Sequence, residues 1–166
     1  SLKTVSTVSS GGSGGTTSDA TLFTPVNQQV ALIVDQKASG TSAGSSVVGW
    51  QVRELNTEVY DDDGLVSILA DNGFRLQPGE YQIEWSVPNF VTREAQSALS
   101  TSTSDTNIIA YGSSTISGEA GFTHCVSTGT YKVNITEATD YYVLNYTRDV
   151  EASTELGLAS NSGGAE

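Results

Sequence analysis

The segment "YQIEWSV", residues 81–87, alternates apolar and polar residues at every step. Tyr81, Ile83, Trp85 and Val87 fall on one face, and the intervening polar residues fall on the other. A period of two is that of a β-strand with one buried face. The segment therefore predicts a β-strand whose aromatic and aliphatic side packs in a core.

Turn signals precede this strand, and weaker alternating segments follow it. Asp71-Asn72-Gly73 and Gln77-Pro78-Gly79 predict turns, because Gly accepts positive φ and Pro fixes its own φ. The later strand-like segments are "TREAQSALST", "NIIAYGSST", "GFTHCVSTGTYKVNIT", "YYVLNYTR" and "LGLAS". No segment shows helical periodicity. Short strands at this spacing predict an all-β domain, built as a sandwich, jelly roll or barrel.

The pattern of residues 30–60 also predicts strands separated by a loop. Residues 30–34 are continuously apolar, which predicts a strand covered on both faces or lying at a subunit contact. Residues 39–48 form a Gly/Ser-rich loop. In the following "GWQVRELNTEVY", Trp50, Val52 and Glu54 share one side.

The first 20 residues are almost entirely Ser, Thr and Gly. Such a composition buries too little apolar surface to offset the entropy of ordering, which predicts a flexible linker. The alternative is an arm that becomes ordered along a partner. We assign residues 1–28 to this arm or linker and residues 29–166 to the folded domain.

Charge and composition exclude several classes of function. The net charge of −12, from 19 acidic and 7 basic residues, argues against nucleic acid and anionic membrane surfaces as partners. No apolar run approaches the about 20 residues of a membrane span, and no signal-peptide layout begins the chain. Cys125 is the single cysteine, which excludes an intrachain disulfide and a cysteine zinc cage. The absence of methionine predicts either a processed chain or a piece of a longer polypeptide, and we expect the second.

The stretch "VYDDDGLVSI" is the densest cluster of negative charge. A calcium loop of the EF-hand type needs alternating oxygen ligands and a closing Glu over about twelve residues, whereas these three aspartates are adjacent. Asp63-Gly64 between strand-like flanks predicts a turn instead. Asp61 and Asp63 are retained as the alternative metal ligands.

No arrangement of residues predicts catalysis. His124 is the only histidine and shares a face with Phe122 and Val126, which predicts a packed side chain. The alternative is an ion held by three copies of His124 on a trimer axis. Cys125 is interpreted as a buried structural thiol rather than a nucleophile. Glu80 and Glu84 are too far apart along a strand for a retaining glycosidase.

Five aromatic residues have two interpretations. They could form an exposed surface for stacking on carbohydrate, or they could belong to the core or a subunit interface. Their alternating strand positions favour the second interpretation. The residues are Trp50, Trp85, Tyr141, Tyr142 and Tyr146.

A succession of landmarks resembles a family of phage-encoded domains found at the ends of tail fibres and on capsid decorations. The resemblance covers about residues 29–166. The matching positions are Asp35-Gln36-Lys37, the Gly-rich loop to Trp50, Arg53, Leu55-Asn56-Thr57, Asp63-Gly64, Leu76, Pro78-Gly79 and Tyr81. The chain departs from the family pattern at "TREAQSALS", where members usually carry more charge. It also lacks the final alternating strand that members carry after the position of "SGGAE".

The resemblance implies a jelly-roll β-sandwich of the complement-globular (C1q) and tumour-necrosis-factor-like type, assembled as a homotrimer. It implies a non-enzymatic bacteriophage structural protein on the virion, namely a tail-fibre knob that binds a host-surface glycan or protein. The alternative is a capsid decoration, cement or head-fibre protein docked on other virion proteins through the N-terminal arm. A third reading is an acidic, calcium-dependent carbohydrate-binding module. We expect no cofactor, and the sequence identifies no receptor-binding residue.

The missing final strand has a structural consequence if the family fold is correct. That strand would lie beside the first strand, "VALIVD", and its loss would expose the edge of the first strand. We therefore expect either that the sequence is truncated or that a partner chain supplies the edge.

Overall fold

The computed structural model describes residues 29–90, 94–116, 124–148 and 156. The arm predicted at residues 1–28 and most of the strand-like "LGLAS" lie outside these residues. Ten strands are described, and two short 3-10 turns (Asp62–Gly64 and Asp105–Asn107) connect some of them. The strands are β1 (Ala31–Val34), β2 (Gly49–Val52), β3 (Thr57–Asp61), β4 (Val66–Ile68), β5 (Phe74–Leu76), β6 (Gly79–Phe90), β7 (Glu94–Ser100), β8 (Ile108–Ile116), β9 (His124–Ile135) and β10 (Thr139–Thr147).

All strand pairs in the described residues are antiparallel. Six strands form one sheet in the order β4-β5-β10-β7-β8, with β2 paired to β10. Two further sheets contain two strands each, β1 with β3 and β6 with β9. The prediction of an all-β fold is confirmed. The jelly-roll type and the membership of residues 29–166 in one domain stay predictions.

The alternation in β6 does build the core. Ile83, Trp85 and Val87 are all at least 93% buried, and they pack with Leu99 of β7 and Val143 of β10. At about 25 cal/mol per Å² of apolar surface, such large side chains supply much of the free energy of folding. The most clearly predicted strand, β6, therefore packs the two-stranded β6-β9 sheet against the larger sheet through its side chains.

A second, smaller cluster lies on the other face of the six-stranded sheet. Tyr142 and Leu144 alternate with Val143 along β10, so they point away from the main core. Trp50 and Val52 of β2 are partly buried against them. The large sheet is therefore apolar on both faces near β10.

The predicted turn at Asp71-Asn72-Gly73 is present, but its geometry differs from the expectation. Asn72 adopts positive φ (68°), whereas Gly73 does not. A Cβ at position 73 would lie 2.6 Å from the Tyr142 ring, so close packing, rather than backbone freedom, requires glycine there. Gly79 likewise has no positive φ. Asn72 tolerates the left-handed region because its short polar side chain bonds locally.

Two expectations for the first third of the domain are corrected. The four residues of β1 are each half-buried rather than covered on both faces, because one side of this strand opens onto a groove. The segment "GWQVRELNTEVY" divides into β2 and β3, which belong to different sheets. The division falls at Arg53, whose main-chain N–H donates to the carbonyl of Val143 (2.8 Å) in β10.

No helix in the described ranges is long and apolar enough to cross a membrane.

Candidate functional site

A groove of about 340 Å³ lies between β1 and β6 and is the candidate functional site. Residues 31–35 form one wall and residues 81–88 form the opposite wall. Successive strand residues point to opposite faces, so an unbroken run of lining residues means that the strand edge itself borders the groove. The groove therefore presents main-chain groups of two strands.

Neither of these strand edges is paired within the described part of the chain. There β1 pairs only with β3, and β6 pairs only with β9. An unpaired edge exposes a row of N–H donors and C=O acceptors that can pair with another strand. Pro88, near the end of β6, interrupts the row of donors because proline has no N–H.

The floor of the groove is apolar and continuous with the main core. Its residues include Ile33, Leu55, Phe74, Leu76, Ile83, Trp85 and Val143. Buried aliphatic and aromatic side chains offer contact to apolar groups and select against charged ones. The groove thus combines polar edges with an apolar base, which is the composition expected of a site for an extended chain.

Arg53 lines the groove. The residue is only 6% exposed, and its Nη1 has no hydrogen-bond partner among the described residues. Burial lowers the pKa of the Arg53 guanidinium from its ordinary value, and the charges of Asp35 and Glu54 oppose that effect. An unmet donor on a buried cation is costly, so this group favours an oxygen acceptor.

The acidic groups beside Arg53 are held by Lys37. Its Nζ lies 2.6 Å from Glu54 Oε2 and 3.0 Å from Asp35 Oδ1. The hydrogen bond between Lys37 and Glu54 raises the pKa of Lys37 and lowers the pKa of Glu54. Asn56 Nδ2 donates to Asp35 Oδ1 (2.8 Å). Asp35 and Glu54 therefore already have hydrogen-bond partners other than Arg53 Nη1.

The three aspartates of the predicted turn lie together but bond to different partners. Asp61 accepts from the main-chain N–H groups of Leu65 (2.8 Å) and Val66 (3.1 Å). Asp62 accepts from the N–H of Val30 (3.3 Å), and Asp63 accepts from the side-chain amide of Gln29.

Positive φ at Asp63 (63°) and Gly64 (71°) forms the turn that the sequence predicts. Among the described residues, no group of three or more metal-ligating side chains converges, and this includes the alternative ligands Asp61 and Asp63.

Of the remaining sequence candidates, Glu84 and Trp85 line the groove. His124 is the first residue of β9, and its side chain is not among those that the structure describes. Val126 on the same face is 49% exposed, whereas Ser127 on the opposite face is fully buried. The packing predicted for the His124 side chain stays a prediction. Cys125 is half-buried rather than buried, and its Sγ accepts from Thr115 Oγ1 at 3.2 Å.

The aromatic residues divide into buried and partly exposed groups. Trp85, Tyr141 and Tyr142 are buried, as the core interpretation predicts, and Trp85 lines the groove. Trp50 and Tyr146 are half-buried and pack with ring centroids 5.4 Å apart. The core interpretation is therefore confirmed for Trp85, Tyr141 and Tyr142, whereas carbohydrate stacking by Trp50 and Tyr146 stays a prediction.

Sequence reasoning missed Arg53 as a site residue and used it only as a landmark. An arginine after a short strand gives little indication of burial, because arginine is usually exposed. The burial of Arg53 becomes evident only in the tertiary structure, where β10 and Asp35 lie beside it.

No family model matches this chain, and no curated protein matches it.

Proposed function

We propose that this chain is a non-enzymatic virion component, a homotrimeric knob of a phage tail fibre that binds a host-surface receptor. The landmarks across residues 29–166 support the family to which this function belongs. The all-β architecture is compatible with it. The observation that carries self-association is a set of exposed apolar side chains on two neighbouring strands.

These side chains lie on β8 and β9. Ile109, Tyr111 and Ile116 of β8 are 37%, 62% and 78% exposed, and Val126 of β9 is 49% exposed. The two strands are neighbours, since Ser127 Oγ donates to the Ser113 carbonyl at 2.6 Å. Clustered large apolar side chains on a chain of net charge −12 favour burial against another surface. We call this set the β8–β9 rim.

A trimer gives the knob three copies of each surface loop. When one copy's rim packs on a different surface of the next copy, a rotation of one third of a turn closes the ring. Three identical receptor sites then act together, which raises the apparent affinity for a repetitive host surface without any new contact in a single site.

Substitution in the rim tests this proposal. We expect Val126→Glu to convert the trimer to monomer, because it places a charge in an apolar contact. Val59→Glu is the matched control, since Val59 is 53% exposed but lies on β3. Light scattering of both variants and the parent chain provides the measurement. A parent chain that remains monomeric at high concentration would overturn the proposed trimer.

Location in the particle distinguishes the fibre knob from a capsid decoration. A labelled antibody against the chain should mark the tips of the tail fibres on intact particles. Labelling over the capsid surface would replace the fibre proposal with the decoration alternative.

A further inference from the structure

We propose that one internal water molecule bridges the side-chain amides of Gln51 in β2 and Asn145 in β10. The water accepts a hydrogen bond from Gln51 Nε2 and donates one to Asn145 Oδ1. The inference concerns the interior of a single copy and depends neither on the proposed trimer nor on its receptor.

The two atoms are complementary and lie on neighbouring residues. Gln51 Nε2 is a donor and Asn145 Oδ1 is an acceptor, and both are buried without a hydrogen-bond partner in the described part of the chain. Gln51 and Asn145 lie directly opposite each other in the antiparallel β2–β10 pair. Opposite residues point to the same face of a sheet, with Cβ atoms about 4.5–5.5 Å apart. Leaving such a donor and acceptor both unpaired is costly.

The other hydrogen bonds of the two amides fix which atoms remain. Asn89 Nδ2 donates to the carbonyl of Val87 (3.3 Å), and Asn89 Oδ1 accepts from Asn145 Nδ2 (2.7 Å). The Oδ1 atom of Asn145 is therefore the remaining acceptor. Gln51 Oε1 accepts from the N–H of Val47 (3.1 Å), so Nε2 is the remaining donor. Turning either amide over would break one of these bonds.

A bridging water fits the surroundings of this pair. Because neither atom has a partner, the two amides do not bond to each other directly. Polar groups more than about 3.5 Å apart are commonly joined through water, and buried waters bind polar groups that otherwise lack partners. The neighbours are polar as well, since Ser97 lies opposite Asn145 on the β7 side and both Ser97 and Asn89 are buried.

The water completes a hydrogen-bonded chain between separate elements. Asn89 belongs to the two-stranded β6-β9 sheet, whereas Asn145 and Gln51 belong to the six-stranded sheet. The chain runs from β6 through Asn145 and the water to Gln51, and it ends at the N–H of Val47 before β2. It therefore connects the two sheets and holds the end of the Gly/Ser-rich loop.

Nuclear magnetic resonance of the full chain tests the proposal. A water held in the interior remains long enough to give a nuclear Overhauser effect to nearby protons. We expect the Gln51 side-chain amide to show a cross-peak to water that changes sign between the laboratory and rotating frames. Proton exchange with solvent gives no such change of sign. The exposed Gln77 amide is the control within the same sample and should show no sign-changing cross-peak.

A pair of variants locates the acceptor. Asn145→Leu removes the acceptor at nearly constant side-chain size and should abolish the Gln51 cross-peak. Asn134→Leu, at an exposed asparagine of β9, should leave the cross-peak unchanged. Far-UV circular dichroism identifies a variant that fails to fold, and the spectrum of the parent chain is a test that needs no variant.

Three outcomes would overturn the proposal. The first is an assigned Gln51 amide in the parent chain with no sign-changing cross-peak to water. The second is a cross-peak that survives in folded Asn145→Leu, which would place the water on another acceptor. The third is a scalar coupling between Gln51 Nε2 and the side-chain carbonyl carbon of Asn145, which would demonstrate a direct hydrogen bond.

Discussion

At the scale of single residues, Gly129 shows how one position depends on a distant one. Gly129 of β9 is the cross-strand partner of Trp85 in β6. A Cβ at position 129 would lie 2.0 Å from Trp85 Cζ2, which is closer than real atoms approach. The indole cannot move freely, because its Nε1 donates to Ser97 Oγ (2.8 Å) in a buried network with Ser127.

We therefore expect Gly129→Ala to destabilise the domain by about 1–3 kcal/mol, the usual cost of overpacking a core. The melting temperature should fall by roughly 3–10 °C in a domain of this size. Thermal unfolding followed by circular dichroism provides the measurement. The double variant with Trp85→Phe should lose less than the two single changes added together, because the smaller ring leaves room for the methyl group. Simple additivity would contradict the proposed clash.

The aspartates are also explained at this scale. Asp61 accepts two hydrogen bonds across the turn, from the main-chain N–H groups of Leu65 and Val66, and so fixes the start of β4. Short polar side chains commonly stabilise turns in this way. The densest acidic stretch of the sequence thus has a structural role in the described conformation.

At the scale of elements, a polar cluster fixes the segment that separates β2 from β3. Lys37, after β1, contacts both Asp35 and Glu54, and Asn56 accepts from the N–H of Gln36 (2.9 Å). These bonds tie residues 53–56 to the end of β1, beside Arg53. The cluster therefore holds the polar end of the groove in place.

The Lys37–Glu54 pair predicts a dependence of stability on pH. The pKa of Glu54 is lowered in the folded state, so the contribution of this carboxylate is present above its unfolded pKa and is lost as pH falls through the folded value. The pKa of Lys37 is raised, so its contribution is complete below its unfolded pKa. The pair therefore stabilises the fold fully at pH values between the unfolded pKa of Glu54 and the unfolded pKa of Lys37.

Lys37→Met should lower the melting temperature at pH 7 by a few degrees at most, since partly exposed ion pairs contribute about 0–1 kcal/mol. The difference from the parent chain should shrink only at acid pH, below the ordinary titration range of a glutamate, because the pKa of Glu54 is lowered in the folded state. Lys132→Met is the control, because Lys132 is exposed and makes no ion pair in the described residues. A difference that is constant from pH 7 to pH 3 would show that packing, and not charge, explains the effect.

At the scale of the whole molecule, two surfaces have different properties. The β8–β9 rim exposes apolar side chains, whereas the β1–β6 groove exposes strand edges. Either surface is a liability for a monomer in water, because apolar patches and open edges both promote association. The proposed trimer covers the first.

A trimeric assembly predicts that thermal stability depends on protein concentration. Because association stabilises only the folded chains, the melting temperature should rise by several degrees over a hundredfold increase in concentration. Scanning calorimetry of the parent chain and of Val126→Glu provides the comparison. The variant should show little dependence. A parent chain with a constant melting temperature and a monomer mass would count against self-association.

Local patterns in the sequence predicted much of the fold. Period-two alternation located β6, and weaker alternation located β7 to β10, because the geometry of a strand is imposed residue by residue. Asn72-Gly73 and Asp63-Gly64 marked their turns through preferences of single residues. An all-β chain with these strands follows from such local preferences.

The candidate site was decided by contacts between residues that are far apart in sequence. Arg53 is buried because β10 and the end of β1 surround it, and Gly129 is required because Trp85 lies opposite. The groove exists because β1 and β6, nearly 50 positions apart, border the same space without pairing in the described residues. Alternation in a single segment specifies which side chains share a face. It does not specify which strand lies beside that segment, and only the tertiary structure decides this.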